Sequence, residues 1–106
     1  MSVIDVNDST FDSEVVQSKI PVVVDIWAPW CGPCRLYGPI VDEVSKDYEG
    51  KVKFVKINAD ECESTVSKFS VSSIPTTLLI EKGQLKAMNV GAVPKETLKK
   101  WITQNM

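Results

Sequence analysis

Val22-Val23-Val24-Asp25-Ile26-Trp27-Ala28-Pro29-Trp30-Cys31-Gly32-Pro33-Cys34 is the stretch that decides the fold. Its first seven residues form a near-continuous apolar run, the pattern of a strand buried on both faces. The run ends in two cysteines, and beyond them Leu36, Ile40, Val44 and Tyr48 recur every fourth residue. That spacing predicts a helix from about Gly32 to Tyr48, stopped by Gly50. The cysteine pair therefore falls at the junction of a buried strand and a long helix.

Outward from this unit the chain alternates strand and helix. Towards the N-terminus, Ser2 to Val6 reads as a short strand. Asn7, Asp8 and Ser9 offer N-cap oxygens to a helix carrying Phe11 and Val15 on one face, and Pro21 ends that segment. Towards the C-terminus, Val52 to Ile57 reads as a strand. Asp60 and Glu63 resemble a capping box opening a short helix with Val66 and Phe69. Thr76 to Glu81 and Leu85 to Val90 flank a tight turn at Gly83 and should pair antiparallel. Pro94 suits the first turn of a last helix whose apolar face is Leu98, Trp101 and Ile102. The order predicts an α/β fold: a mixed five-stranded central sheet flanked by four helices, one domain over residues 1–106.

The bulk properties narrow the function. The 106 residues carry 43% hydrophobic and 25% charged residues, as a folded soluble protein does. A net charge of −2 argues against nucleic acid or an anionic membrane as a partner. No apolar run approaches the roughly twenty residues that span a bilayer. The first residues show neither a basic nor an apolar signal region, so a cytoplasmic location is expected, with an organelle as the alternative if a transit peptide has been removed. Three cysteines cannot all pair within one chain, which excludes a disulfide scaffold. Histidine is absent, so no metal site is expected.

Cys31 and Cys34 are three apart, and residues so spaced are neighbours on a helix, so a disulfide can close between them. Pro33 is tolerated because a first-turn N–H lacks an intrahelical partner. Gly32 lets another polypeptide approach the sulfur. Cys31, just before the helix, meets unpaired N–H groups and the positive dipole end, which favour the thiolate that attacks disulfides. Cys34 is expected to lie deeper and to resolve the mixed disulfide formed at Cys31. The competing readings are a pair of incidental core cysteines and half of a zinc site, for which the sequence supplies only Cys62 as a further soft ligand.

Other residues carry paired readings. Asp25 is a carboxylate in an apolar strand, so burial should raise its pKa unless a partner compensates. Lys56, sharing a strand face with Val52 and Phe54, is the natural partner. The pair reads as a structural ion pair or as a functional one. Pro75, after Ile74, reads as an ordinary trans turn proline on the sequence alone. Asp60 reads as a helix cap, Trp30 as exposed, and Trp101 as core. Cys62 reads as an inert helix cysteine or as a regulatory thiol.

The run Trp30-Cys31-Gly32-Pro33-Cys34 resembles the thioredoxin family signature, and Asp25, Trp27, Lys56, Asp60, Ile74-Pro75, Gly83 and Gly91 follow in the family's order and spacing. The resemblance implies the thioredoxin fold and a thiol–disulfide oxidoreductase, an electron carrier that maintains cell redox homeostasis without an organic cofactor. It implies that Asp25, with Lys56, relays the proton of Cys34, that Trp27 hydrogen-bonds Asp60, and that the Ile74–Pro75 bond is cis. It further implies a shallow docking groove of Trp30, Gly32, Pro33, Ile74, Pro75, Gly91 and Ala92, where the Ile74 backbone pairs with an extended substrate. The partners implied for a monomer are disulfide-containing proteins of the peroxiredoxin, methionine sulfoxide reductase and ribonucleotide reductase type, and a thioredoxin reductase. A disulfide oxidase or isomerase, or a non-catalytic binding subunit, are the alternatives on the same fold. Tyr37, Gly38, Thr77 and Asn89 depart from the family pattern, and Gly38-Pro39 should weaken or bend the long helix.

Overall fold

A computed structural model describes residues 3–106. The five strands β1 (Val3–Asp5), β2 (Val22–Trp27), β3 (Lys53–Asn58), β4 (Thr76–Glu81) and β5 (Gln84–Val90) form one sheet in the order β1-β3-β2-β4-β5. β1 and β2 run parallel to β3, whereas β4 runs antiparallel to both β2 and β5. The mixed sheet expected from the sequence is thus present, with β2, the strand that leads to the cysteine pair, at its centre. Ser2, the expected start of the first strand, lies outside the described residues.

Helices cover both faces. Alternation along the central strands divides their side chains: Val22, Val24 and Ile26 join Phe11, Val15, Val55, Ile57, Leu78 and Ile80 in one core. On the other face, Val23, Phe54 and Leu79 pack with α1 (Gly32–Lys46) and α3 (Lys95–Asn105) through Tyr37, Val41, Val44, Leu98 and Ile102. Trp101, read as core, is partly buried against this second cluster.

Several local expectations need correction. The stripe that α1 buries is Cys34, Tyr37, Val41 and Val44, whereas Leu36 is 75% exposed. A constant stride of four drifts off a helix of 3.6 residues per turn, and the real stripe steps by three and four. α1 runs without a break through Gly38 and Pro39 to Lys46, and Gly50 sits beyond it in a turn at φ +81°.

The first helix is a short π-helical segment, Asp12–Val16, which still buries Phe11 and Val15. Of its expected caps, Asn7 stays local and accepts from the Ser9 and Thr10 amides. Asp8 turns away to the helix α2 (Glu63–Lys68), accepting from the Ser64 and Thr65 amides, both at 3.1 Å. The capping box of Asp60 and Glu63 is therefore not formed. Asp60 sits in a 3₁₀ turn (Ala59–Glu61), Cys62 occupies the N-cap position, and a carboxylate distant in sequence does the capping.

Candidate active site

The end of β2 and the start of α1 hold the two cysteines as a disulfide, with Cα atoms 5.3 Å apart. Cys31 is the N-cap of α1 in an extended conformation, which leaves its sulfur facing the first-turn amides, and the Cys34 N–H donates to it at 3.2 Å. Negative charge developing on this sulfur is stabilised by that amide and by the helix dipole. Cys34 enjoys neither advantage. Simple depth does not separate the two, since Cys31 is 4% exposed and Cys34 6%. Their inequality comes from position on the helix, a correction to the expectation that Cys34 would be the better covered.

Around the disulfide the surface is shaped for contact. Gly32 and Pro33 are exposed, and Trp30 is 67% exposed. Ile74 and Trp27 pack against the small cluster of Ala28, Cys31 and Cys34. The Ile74–Pro75 peptide is cis, and the Pro75 carbonyl accepts from Gly91 N at 2.8 Å, bringing the Gly91-Ala92 turn alongside. A groove lined by Trp30, Ala59, Val66, Val71 and Ile74 opens next to the cysteines.

The tryptophan bond expected at Asp60 is made by the other indole. Trp30 Nε1 donates to both carboxylate oxygens of Asp60 at 3.1 Å, while Trp27 Nε1 is buried without a partner among the described residues. The chain places Trp30, not Trp27, over the 3₁₀ turn that carries Asp60. An exposed ring is thereby fixed in orientation.

Behind Cys34 lies a cavity of about 360 Å³ lined by Asp25, Trp27, Ala28, Arg35, Pro39, Asp42 and Lys56 among others. Asp25 is 5% exposed, and its Oδ1 has no hydrogen-bond partner among the described residues. Burial pushes its pKa up to about 7; Lys56 opposes the rise and Asp42 adds to it. Lys56 stands directly opposite Asp25 in the β2–β3 register but makes its ion contact with Asp5, at 4.0 Å. Cys62 is 1% exposed, and its thiol, 3.8 Å from the Val6 carbonyl, is pushed up by burial and then by Asp8.

The thioredoxin family model matches residues 2–104. The chain is 50% identical over 101 residues to "Thioredoxin 1" of a Nostoc species, covering 95% of this chain and 94% of that one. It is 49% identical to the thioredoxin of Haemophilus influenzae, over 98% and 97% of the two chains. The chain belongs to the thioredoxin family. It is 53% identical to the chloroplastic M-type thioredoxin of Pisum sativum over 88% of this chain and 54% of that one. As in thioredoxins at large, the chain is a disulfide oxidoreductase whose redox centre is the Cys31–Cys34 pair, serving disulfide-containing protein targets and a reductase.

Two features of the site were not read from the sequence. Asp42, one further turn along α1 from Gly38, faces the Asp25 cavity. Tyr37 and Thr77, noted only as departures from the family, are joined by a hydrogen bond of 2.7 Å. A tyrosine on the inward stripe and a threonine within an apolar strand were the available signals.

Proposed function

We propose that the chain is a general protein-disulfide reductase with Asp25 as the proton acceptor of the resolving cysteine. Cys31 attacks the target disulfide, forming a mixed disulfide and releasing one target thiol. Cys34 then loses its proton to Asp25 and attacks the Cys31 sulfur, which expels the second target thiol and leaves the Cys31–Cys34 disulfide. The observation that supports this reading most is the shared cavity, which puts Cys34, Asp25 and Lys56 around one volume. A carboxylate with a pKa near neutrality is ionised often enough to accept a proton and neutral often enough to return it. Lys56 moderates the charge.

Targets dock on the groove of Trp30, Gly32, Pro33, Ile74, Pro75, Gly91 and Ala92, with the Ile74 backbone as the pairing strand. Suitable targets are of the peroxiredoxin, methionine sulfoxide reductase and ribonucleotide reductase type, and a flavoprotein reductase using NADPH restores the dithiol. The chain works as one monomeric domain in the cytoplasm, and its likeness to chloroplastic relatives makes a plastid the competing location. Cys62 takes no part in the cycle, since its burial denies an oxidant access.

An equilibrium redox titration of the Cys31–Cys34 couple, read by tryptophan fluorescence, tests the direction of the chemistry. A potential near the established family value of about −270 mV supports the reductase. A value of roughly −180 mV or higher overturns it in favour of disulfide formation or isomerisation.

A further inference from the structure

β5 is the last strand of the sheet, and it reverses the side-chain pattern of an antiparallel edge. Such a strand ordinarily turns its apolar side chains to the covered face and its polar ones to water. Here Ala87 and Asn89, opposite Leu79 and Thr77, take the face packed by α1 and α3. Leu85, Met88 and Val90 take the other face and are 41%, 39% and 59% exposed. Their cross-strand partners on β4 are Ile80, Leu78 and Thr76, each at most 1% exposed. Phe11, Val15, Val66, Phe69 and Val71 cover this face as far as β4 and, among the described residues, leave β5 bare.

A bulge brings the three into line. Between the pairs Leu79–Ala87 and Ile80–Leu85, Lys86 has no partner on β4. Without that extra residue Leu85 would share the face of Ala87; with it, Leu85 joins Met88 and Val90. The line follows β4 from Thr76 to Ile80, about 13 Å at roughly 3.3 Å per residue. Its head lies at the cysteines. Val90 precedes Gly91, whose N–H donates to the Pro75 carbonyl at 2.8 Å, and Ile74 packs against Cys31. A target joined to Cys31 in a mixed disulfide therefore sits at the top of an uncovered apolar line.

Lys86 also narrows the occupant. A strand added to the edge of β5, from a second copy of this chain, would meet a bulge and an exposed lysine, both of which oppose edge pairing. A partner lying over the face needs no such ladder. Single exposed apolar residues are ordinary, whereas three in register beside a surface where another protein must bind mark an interaction site. We propose that the Leu85, Met88 and Val90 face of β5 is a second docking site for the target. Its occupant is a disulfide-bearing protein that carries apolar side chains next to its reactive cysteine and lays them along β5 while that cysteine is held at Cys31. This extends, and rests on, the reading in which targets dock on the Ile74 groove. It favours such proteins over small disulfides, which reach Cys31 and leave β5 untouched.

The test uses the mixed disulfide that reduced Cys34→Ser forms with a peroxiredoxin in its disulfide form. Access of a soluble gadolinium chelate to the Met88 methyl is read by carbon-13 NMR relaxation, with Met106, 52% exposed at the C-terminus, as the reference. Relaxation of Met88 should drop in the adduct while that of Met106 holds, and neither should drop when Cys31 carries mercaptoethanol instead. The second readout is kinetic, with the same peroxiredoxin as substrate. The double variant Leu85→Thr, Met88→Thr keeps strand-forming residues and should raise KM about tenfold, more than it lowers kcat, because two apolar contacts are lost. Met88 relaxation that is the same in adduct and free protein overturns the proposal, as does a KM that the double variant does not move. A dimer of the parent that the double variant loses also overturns it, by giving the face to a second copy. The groove is tested apart, with Trp30→Ala: an unmoved KM there removes the groove reading, whatever the β5 variants do.

Discussion

Asp25 and Lys56 face each other across β2 and β3, but the carboxylate is 5% exposed while the lysine side chain is 41% exposed and reaches towards Asp5. The two charges are therefore neighbours without being a closed ion pair. Burial wins over attraction, and the Asp25 pKa rises to about 7 despite Lys56.

The first consequence is a stability that depends on pH in an unusual sense. Below the ordinary carboxyl pKa of 3.8, Asp25 holds its proton folded and unfolded. Between that value and about 7 the unfolded chain releases the proton and the folded chain keeps it, so stability falls as pH rises. The loss is complete above the folded pKa and amounts to about 4 kcal/mol. Denaturant unfolding of the oxidised protein from pH 4 to 8 should show this fall in the parent and not in Asp25→Asn. Parallel pH profiles for the two proteins would rule out a buried, protonated Asp25.

The second concerns the charges that flank the carboxyl. Lys56 lowers the Asp25 pKa and Asp42 raises it. Lys56→Met should move the Asp25 midpoint up, and Asp42→Asn should move it down. Because Lys56 is partly exposed, its effect should shrink between 50 and 500 mM salt, with the Debye length contracting to about 4 Å. Movement of both midpoints in the same direction would contradict this arrangement.

The succession of strands and helices along the chain, the cysteine junction and the burial of Asp25 were legible because each rests on a pattern of a few adjacent residues. The run Val22 to Ala28 can only be buried, and a cysteine three residues before another at a helix start can only be its neighbour. What the sequence did not carry was the choice among equivalent partners in space. Asp8 could cap its own segment or α2, and the fold brings it to Ser64 and Thr65. Asp60 had two indoles within reach, and it bonds Trp30. Tyr37 and Thr77 lie forty residues apart, and only the packing of α1 on β4 joins them.

Two glycines should answer oppositely to the same substitution. Gly38 lies inside α1 with nothing within 4 Å of where a Cβ would stand. Gly38→Ala should therefore stabilise the protein by about 0.5–1 kcal/mol, the usual helical preference for alanine. Gly83 holds φ at +79° in the β4–β5 turn, and a Cβ there would stand 3.1 Å from Val16 Cγ1. Gly83→Ala should cost about 1–2 kcal/mol for the left-handed backbone, with crowding added. Urea midpoints at constant m-value decide both, and a stabilised Gly83→Ala would mean that the turn relaxes out of its observed conformation.

The last prediction separates the two sulfurs. Cys31 at the N-cap receives the Cys34 amide and the dipole, whereas Cys34 borders the Asp25 cavity, which Cys31 does not line. The difference in position assigns attack to Cys31 and resolution to Cys34. Reduced Cys34→Ser should form a mixed disulfide with a disulfide-bonded target and hold it, visible as a stoichiometric adduct on non-reducing gels and by intact mass. Reduced Cys31→Ser should form far less adduct in the same time, because its remaining thiol lacks the activating amides. Target turnover should be lost in both variants, since each lacks one of the two sulfurs that form the product disulfide. Iodoacetamide should likewise modify Cys31 of the Cys34→Ser variant at lower pH than Cys34 of the Cys31→Ser variant. If Cys31→Ser were instead the variant that trapped the target, the roles would be reversed and the helix N-terminus would not be the source of nucleophilicity.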